Sequence, residues 1–321
     1  MNNVVQPQPN FFMVGVVKGG TTSLHRYLDQ HPDIYMSPVK ETNYFARQDI
    51  DTTAFNKAYA HDVNVDLKQY LKTDMKQVIH IAHVTQAADY AKLFANVSNE
   101  SAIGEASNSY ILYENAPKLI HQAYPDAKII VMLRNPVQRA FSQYVMNLRL
   151  GKTREKDFIT ELEQDHNGEL QGWGANHQYL SIGLYYQQIK RYYDLFAKEQ
   201  VHICWFDEYK TDGDKVVKSI YQFLAVAEDF KVDTATKLNT AGVAKFGRLN
   251  YFINQSGVVS WAKRKLPKSW REPFKRWMYT ADKQAMPKMT EAQKQYLIDF
   301  YRDDIEALAR LLNKDLSHWL R

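Results

Sequence analysis

Short unbroken apolar runs alternate along the chain with segments whose apolar positions recur every three or four residues. "FFMVGVV" (residues 11–17) reads as a buried strand, and "TSLHRYLDQHP" after it keeps Leu24, Tyr27 and Leu28 at helical spacing until Pro32 stops the helix. "AKIIVMLR" (127–134) has a continuous apolar centre. It is followed by "NPVQRAFSQYVMNLRL", with Asn135 as N-cap and Pro136 at the first helical position. "VHICWF" (201–206) and "DKVVKSIYQFLAV" (214–226) repeat the strand–helix order. "SAIGEAS" (101–107) predicts another strand, while 85–97 and 116–125 predict helices. Residues 290–312 form a long amphipathic pattern in which Thr290 and Gln293 have capping-box spacing. Residues 46–75 are polar and predict no definite element.

This order predicts an α/β fold: a central parallel sheet with helices on both faces and a helical C-terminal part. Such sheets bind ligands beyond the carboxyl ends of their strands, near a switch in strand order. Residues 18–22, residues 105–107 and Arg134 are therefore expected to converge.

Composition narrows the class without naming a function. The chain has 321 residues, 45% hydrophobic and 24% charged, which suits one globular domain over 1–321 with residues 1–10 as a flexible tail. Cys204 is the one cysteine, so no internal disulfide forms. The polar start and the absence of an apolar run of about 18 residues lead to the expectation of a soluble, cytoplasmic protein. The net charge of +5 is concentrated in "WAKRKLPKSWREPFKRW" (261–277). A local basic-aromatic patch suits an acidic glycan or an anionic membrane face, and nothing indicates a nucleic-acid partner.

The glycine loop carries the most chemistry. Gly15 and Gly20 have the spacing of a G-x-x-x-x-G-K-[ST] phosphate loop, but Thr21 stands where its lysine belongs and the lysine comes earlier, as Lys18. Gly19 and Gly20 permit a tight turn that presents N–H groups to an anion, and the helix after it adds its positive dipole end. Thr21, Thr22 and Ser23 add hydroxyls. The displaced lysine argues against ATP or GTP hydrolysis. Glu105 is the one candidate for a magnesium-binding strand end, and a P-loop kinase is disfavoured.

"GVVKGGTTSLHRYLDQHP" resembles the 5′-phosphosulfate loop of sulfotransferases that use 3′-phosphoadenosine 5′-phosphosulfate (PAPS), closest to the branch of heparan sulfate and bacterial carbohydrate sulfotransferases. The resemblance implies that Lys18 contacts the phosphosulfate and stabilises the departing phosphate of the product PAP. In that family an arginine and a serine eight residues apart bind the 3′-phosphate, and "MLRNPVQRAFSQY" supplies Arg134 and Ser142. "LNTAGVAKFGRLN" (238–250) resembles the late loop that folds over the nucleotide, with Lys245, Gly247 and Arg248 as its contacts.

Transfer to a hydroxyl needs a base, and fixed cations suffice for the developing charge, so no metal is expected. In "SPVKETNYF" (37–45) Glu41 takes the place of the family's general base. A histidine often follows it by two positions; here that residue is Asn43. The lysine that heparan-type enzymes place after the strand glutamate is here Ala106, which leaves Glu105 and Ser107 as acceptor or sulfate contacts. Aromatic and amide side chains over 144–180 suit sugar faces, or equally an insertion packed on the core. The expected activity is sulfuryl transfer from PAPS to a carbohydrate or glycolipid hydroxyl. The alternatives are a PAP- or PAPS-binding protein without transfer, and an enzyme for small phenolic or alcohol acceptors with His83 as base.

Overall fold

The apolar run at residues 11–17 is the spine of the fold. In the computed structural model, which describes residues 7–233, 243–244, 279–280 and 287–321, it opens as strand β1 (Phe11–Met13). The strands that follow are β2 (Ile34–Met36), β3 (Val39–Glu41), β4 (Ile79–Ile81), β5 (Ala102–Ala106), β6 (Lys128–Leu133) and β7 (Val201–Trp205). Five make one parallel sheet in the order β2-β5-β1-β6-β7, and β3 and β4 pair separately, also in parallel. β1 sits mid-sheet, with β5 on one side and β6 on the other, so its carboxyl end lies where the strand order switches.

Alternation along the strands assigns the two faces. Phe11, Met13, Ile130 and Met132 pack with Leu24 and Leu28 of α1 (Thr21–Leu28) and with Val217, Ile220 and Leu224 of the helix Gly213–Leu224. Phe12 points the other way, its ring 5.6 Å from those of both Phe45 and Tyr124. Burying Leu24 and Leu28 fully contributes roughly 3–5 kcal/mol. The ladder also runs past the formal end of β1. Val14 N–H donates to the Ile130 carbonyl (3.0 Å), Met132 N–H to Gly15 (3.1 Å) and Val16 N–H to Met132 (3.1 Å). The run is thus strand-like to Val16, and the glycine turn begins immediately after it.

The chain divides into two compact units. The sheet belongs to the first, Met1–Ile50, Asn64–Asn135 and Tyr186–Thr236. The second, Asp51–Val63, Pro136–Tyr185 and Lys237–Arg321, includes the helices Pro136–Leu150, Phe158–His166 and Glu291–Leu312 and a short antiparallel strand pair, Val243–Ala244 with Tyr279–Thr280. The capping box predicted for the last of these is present, with Thr290 Oγ1 accepting from Gln293 N–H and Gln293 Oε1 from Thr290 N–H. Tyr144, Trp173 and Tyr179 are buried in this unit, so these rings of the aromatic stretch build its core rather than a displayed sugar platform. The basic segment 261–277 lies outside the described residues. Among the described residues no helix is long and apolar enough to cross a membrane.

Candidate functional site

Two left-handed residues shape the loop between β1 and α1. Lys18 has φ 66° and Gly20 φ 90°. A Cβ on Gly20 would meet the Phe206 ring at 3.2 Å, and one on Gly19 would meet the Met132 carbonyl oxygen at 2.9 Å. Both glycines are therefore required by geometry. The N–H groups of Gly20, Thr21 and Thr22 have no hydrogen-bond acceptor among the described residues, and α1 has no acidic side chain in its first turn. Three consecutive amides at a helix start, with Lys18 just before them, make a cradle that fits a phosphate-bearing ligand. The hydroxyls are divided. Ser23 Oγ donates to the Gly20 carbonyl (3.0 Å) and Thr21 Oγ1 to Asn108 Oδ1 (3.1 Å), so the protein itself uses two of the three that the sequence assigned to the anion.

Arg134 follows the last residue of β6 and turns back onto the loop. Its Nη1 donates to the Lys18 carbonyl oxygen at 2.9 Å, and its guanidinium carbon lies 4.5 Å from the centre of the Phe206 ring. The strand ends expected to converge do so: Lys18 meets Arg134, and Thr21 meets the residue after Ser107. Ser142 is half-buried on the helix Pro136–Leu150 of the second unit. Lys245, Gly247 and Arg248 lie outside the described residues.

Glu41 ends β3. Lys40 Nζ donates to its Oε1 at 2.8 Å and Asn108 Nδ2 donates to the same oxygen at 2.9 Å, while Oε2 accepts no hydrogen bond among the described residues. The Glu41 side chain is 15% exposed and that of Lys40 only 3%, so this is not a solvated surface pair. Burial pushes the Glu41 carboxyl up, but the charges of Lys40 and His80 and the hydrogen bonds from Lys40 and Asn108 together outweigh it and hold the group below the ordinary carboxylate range. Behind the pair, burial and then the Lys40 ammonium lower His25 to about 3, which keeps it neutral. Burial also lowers His83, against the attraction of Glu41. Asn43, where the family often has histidine, is buried at φ 53°, a conformation asparagine tolerates, and its Oδ1 accepts from Ser109 Oγ at 2.6 Å.

Glu105 and Ser107 are not contacts for acceptor or sulfate. Both are fully buried, because β5 is a central strand covered on both faces. Glu105 Oε1 accepts from Thr42 (2.7 Å) and Ser107 (2.5 Å), and Oε2 from Tyr90 (2.9 Å) and Tyr110 (3.0 Å). Three of these hydroxyls accept in turn from backbone N–H groups: Ser107 from Asn43 (3.2 Å), Thr42 from Tyr44 (3.3 Å) and Tyr110 from Phe45 (3.3 Å). Burial pushes the Glu105 carboxyl above its ordinary range, against the pull of these four hydroxyls, and the hydrogen-bonded cluster orients the turn that follows Glu41. Glu105→Gln should lower stability by about 2–3 kcal/mol, since the new amide N–H₂ faces hydroxyls already committed as donors. Chemical denaturation measures it, and an unchanged midpoint would show that the hydroxyls reorient at no cost.

Asn108 was not recognised in the sequence. It lies on no periodic pattern, and its importance comes from two partners distant along the chain.

Comparison with known proteins agrees with this geometry. The profile of the Sulfotransferase family matches residues 9–229. Carbohydrate sulfotransferase 15 of Mus musculus is 25% identical over 246 residues, covering 67% of this chain and 43% of its own length. Heparan sulfate glucosamine 3-O-sulfotransferase 6 of Homo sapiens is 28% identical over 190 residues, 59% of this chain and 44% of its own. This chain therefore spans less than half the length of these relatives. The crystal structure of a sulfotransferase from Alicyclobacillus acidocaldarius superposes with a TM-score of 0.71 at 30% identity, covering 98% of this chain and 100% of that one.

Proposed function

Because this chain belongs to the sulfotransferase family, we propose that it transfers a sulfuryl group from PAPS to a hydroxyl of a carbohydrate acceptor, a sugar polymer or a glycolipid, with Glu41 as general base. PAPS supplies a sulfuryl group activated by its attachment to a phosphate. The amides of Gly20, Thr21 and Thr22 and the Lys18 ammonium hold the 5′-phosphate side and offset the negative charge that grows there. The Arg134 guanidinium, a planar fork suited to phosphate oxygens, holds the 3′-phosphate. Glu41 Oε2 takes the acceptor hydroxyl's proton as its oxygen bonds to sulfur and the sulfur–phosphate oxygen bond breaks.

The observation that carries this reading is one hydrogen-bonded frame. It runs from the first residue of the loop helix, Thr21, through Asn108 to a carboxylate whose second oxygen accepts no hydrogen bond among the described residues. A protein that only bound the nucleotide would have no need of that carboxylate. The carbohydrate acceptor is supported by these relatives, a carbohydrate sulfotransferase and a heparan sulfate glucosamine 3-O-sulfotransferase.

The test begins with donor recognition. PAP at a hundred times its Kd should stabilise the fold by about 2.7 kcal/mol, seen as a rise in melting temperature that ATP at the same concentration does not match. Labelled PAPS should then pass its sulfate to a polysaccharide or glycolipid in a panel that includes phenols. Indifference to PAP, or labelling of the phenols alone, would overturn the proposal.

A further inference from the structure

We propose that Asn108 is a positioning residue for Glu41, tying its carboxylate to the start of the phosphate-loop helix so that donor binding and base placement share one rigid connection. The inference rests on the reading of Glu41 as the base.

The argument starts from what an amide can do. The Asn108 side chain donates through Nδ2 to Glu41 Oε1 and accepts through Oδ1 from Thr21 Oγ1. Only a group with a donor and an acceptor on one rigid plane meets both demands. Aspartate cannot donate to a carboxylate when ionised, and alanine makes neither bond. Asn108 itself is well fixed. It directly follows the buried Ser107, whose N–H donates to the Met13 carbonyl at 3.0 Å, so it is anchored to the last residue of β1.

The division of labour at the carboxylate follows. Lys40 and Asn108 both occupy Oε1, which orients Oε2 as the proton-accepting atom. Lys40 supplies charge but reaches Glu41 from its own strand, through a flexible stem. Asn108 supplies direction, and it alone among Glu41's described partners also holds the loop helix. A ligand that settles on the amides of Gly20, Thr21 and Thr22 therefore presses on a helix start already linked to the base. Reaction geometry tolerates little displacement, since an error of about 1 Å can cost about a hundredfold in rate.

The groups that bear on Glu41's titration are Lys40 beside it, His80 on β4 and His83 beyond β4, with His25 of α1 near Lys40 and His80. Removing Asn108 changes none of them. A change in Glu41's titration in Asn108→Ala thus reports the lost hydrogen bond.

The experiment follows the Glu41 carboxyl directly, as the ¹³C-glutamate resonance that disappears in Glu41→Gln, and uses PAP as the probe. In the wild-type protein this resonance should shift when PAP binds. In Asn108→Ala it should titrate at higher pH and lose most of its response to PAP, while PAP affinity stays within about threefold. Thr21→Val should weaken the response to PAP and leave the titration in place, because it cuts only the far bond. With labelled PAPS and a polysaccharide acceptor, Asn108→Ala should lower kcat roughly ten- to a hundredfold with little change in KM for PAPS. Should Asn108→Ala unfold, the near-isosteric Asn108→Asp gives the same reading, with a titration moved further upward by the added negative charge. Wild-type titration and a wild-type PAP response in these variants would overturn the proposal. Full turnover in Glu41→Gln would instead overturn the base assignment, and the carboxyl resonance separates the two failures because it does not depend on transfer.

Discussion

Glu41→Gln should reduce sulfuryl transfer by roughly 10²–10⁴-fold while leaving PAP affinity within about twofold. The substitution suits the question because glutamine keeps an oxygen for Lys40 and Asn108 to donate to. The buried ammonium of Lys40 is then not left without an acceptor, and the local structure should persist. What is lost is the proton-accepting capacity of Oε2 together with the negative charge that offsets Lys40, so some stability should go with the activity. The charge balance at the site also fixes the sign of the pH dependence. The Glu41 carboxyl is held below its ordinary value, so it stays ionised at neutral pH and through mild acid. The acid limb of kcat should therefore lie below the ordinary carboxylate range. The same depression stabilises the folded state above the unfolded-state pKa, and that contribution is lost as pH falls through the folded value. A pH–rate profile of the wild-type enzyme measures the first effect, and denaturation at a series of pH values in wild type and variant measures the second. If Glu41→Gln turns over at the wild-type rate, the base lies elsewhere, and His83, whose charge interacts with Glu41, is the next residue to replace.

Lys18→Ala should lower kcat by about 10²–10³-fold, the cost expected for removing one fixed stabiliser of developing charge. The hydrogen bond from Arg134 to residue 18 should survive, because it uses the backbone carbonyl and not the ammonium. Arg134→Ala is predicted to behave differently. It removes a guanidinium from the nucleotide and also releases the Lys18 carbonyl and uncovers the Phe206 ring. PAP affinity should fall roughly 10- to 100-fold, the loss expected for a charged hydrogen-bonding partner, with kcat reduced as well. Calorimetric titration of PAP together with steady-state kinetics distinguishes the two. If Lys18→Ala changes PAP affinity alone, and kcat not at all, the lysine binds the nucleotide without helping the reaction.

The sequence announced the parts of this fold that rest on long apolar runs or on capping chemistry. β6, β7, α1 and the final helix were legible because their burial patterns are continuous or strictly periodic over several residues. β2, β3 and β4 have three residues each, too few to display a period of two, and they escaped. The phosphate loop was legible because glycines, lysine and hydroxyls fall within six consecutive residues. The surroundings of the base were not. Lys40 beside Glu41 looks in sequence like an ordinary exposed charge pair, and only the fold buries the lysine. Glu105 looked like a free strand-end carboxylate, yet the four hydroxyls that enclose it come from residues 42, 90, 107 and 110, and two of these lie far from it in sequence. Contacts between distant residues leave no mark on local periodicity, which is why Asn108 was also invisible.

The hydroxyl cage around Glu105 bears on how the site breathes. A surface turn usually opens by itself and exchanges its amide hydrogens with water far more readily than a sheet core does. The amides of Asn43, Tyr44 and Phe45 are wired differently, since each donates to a hydroxyl that is itself hydrogen-bonded to the one buried carboxyl of Glu105. Loosening any of them weakens the solvation of a carboxylate that water does not reach. The turn therefore lacks a cheap partial opening and shares the opening cost of the sheet beneath it, which gives the chain next to Glu41 the rigidity of the core although its sequence reads as a loop.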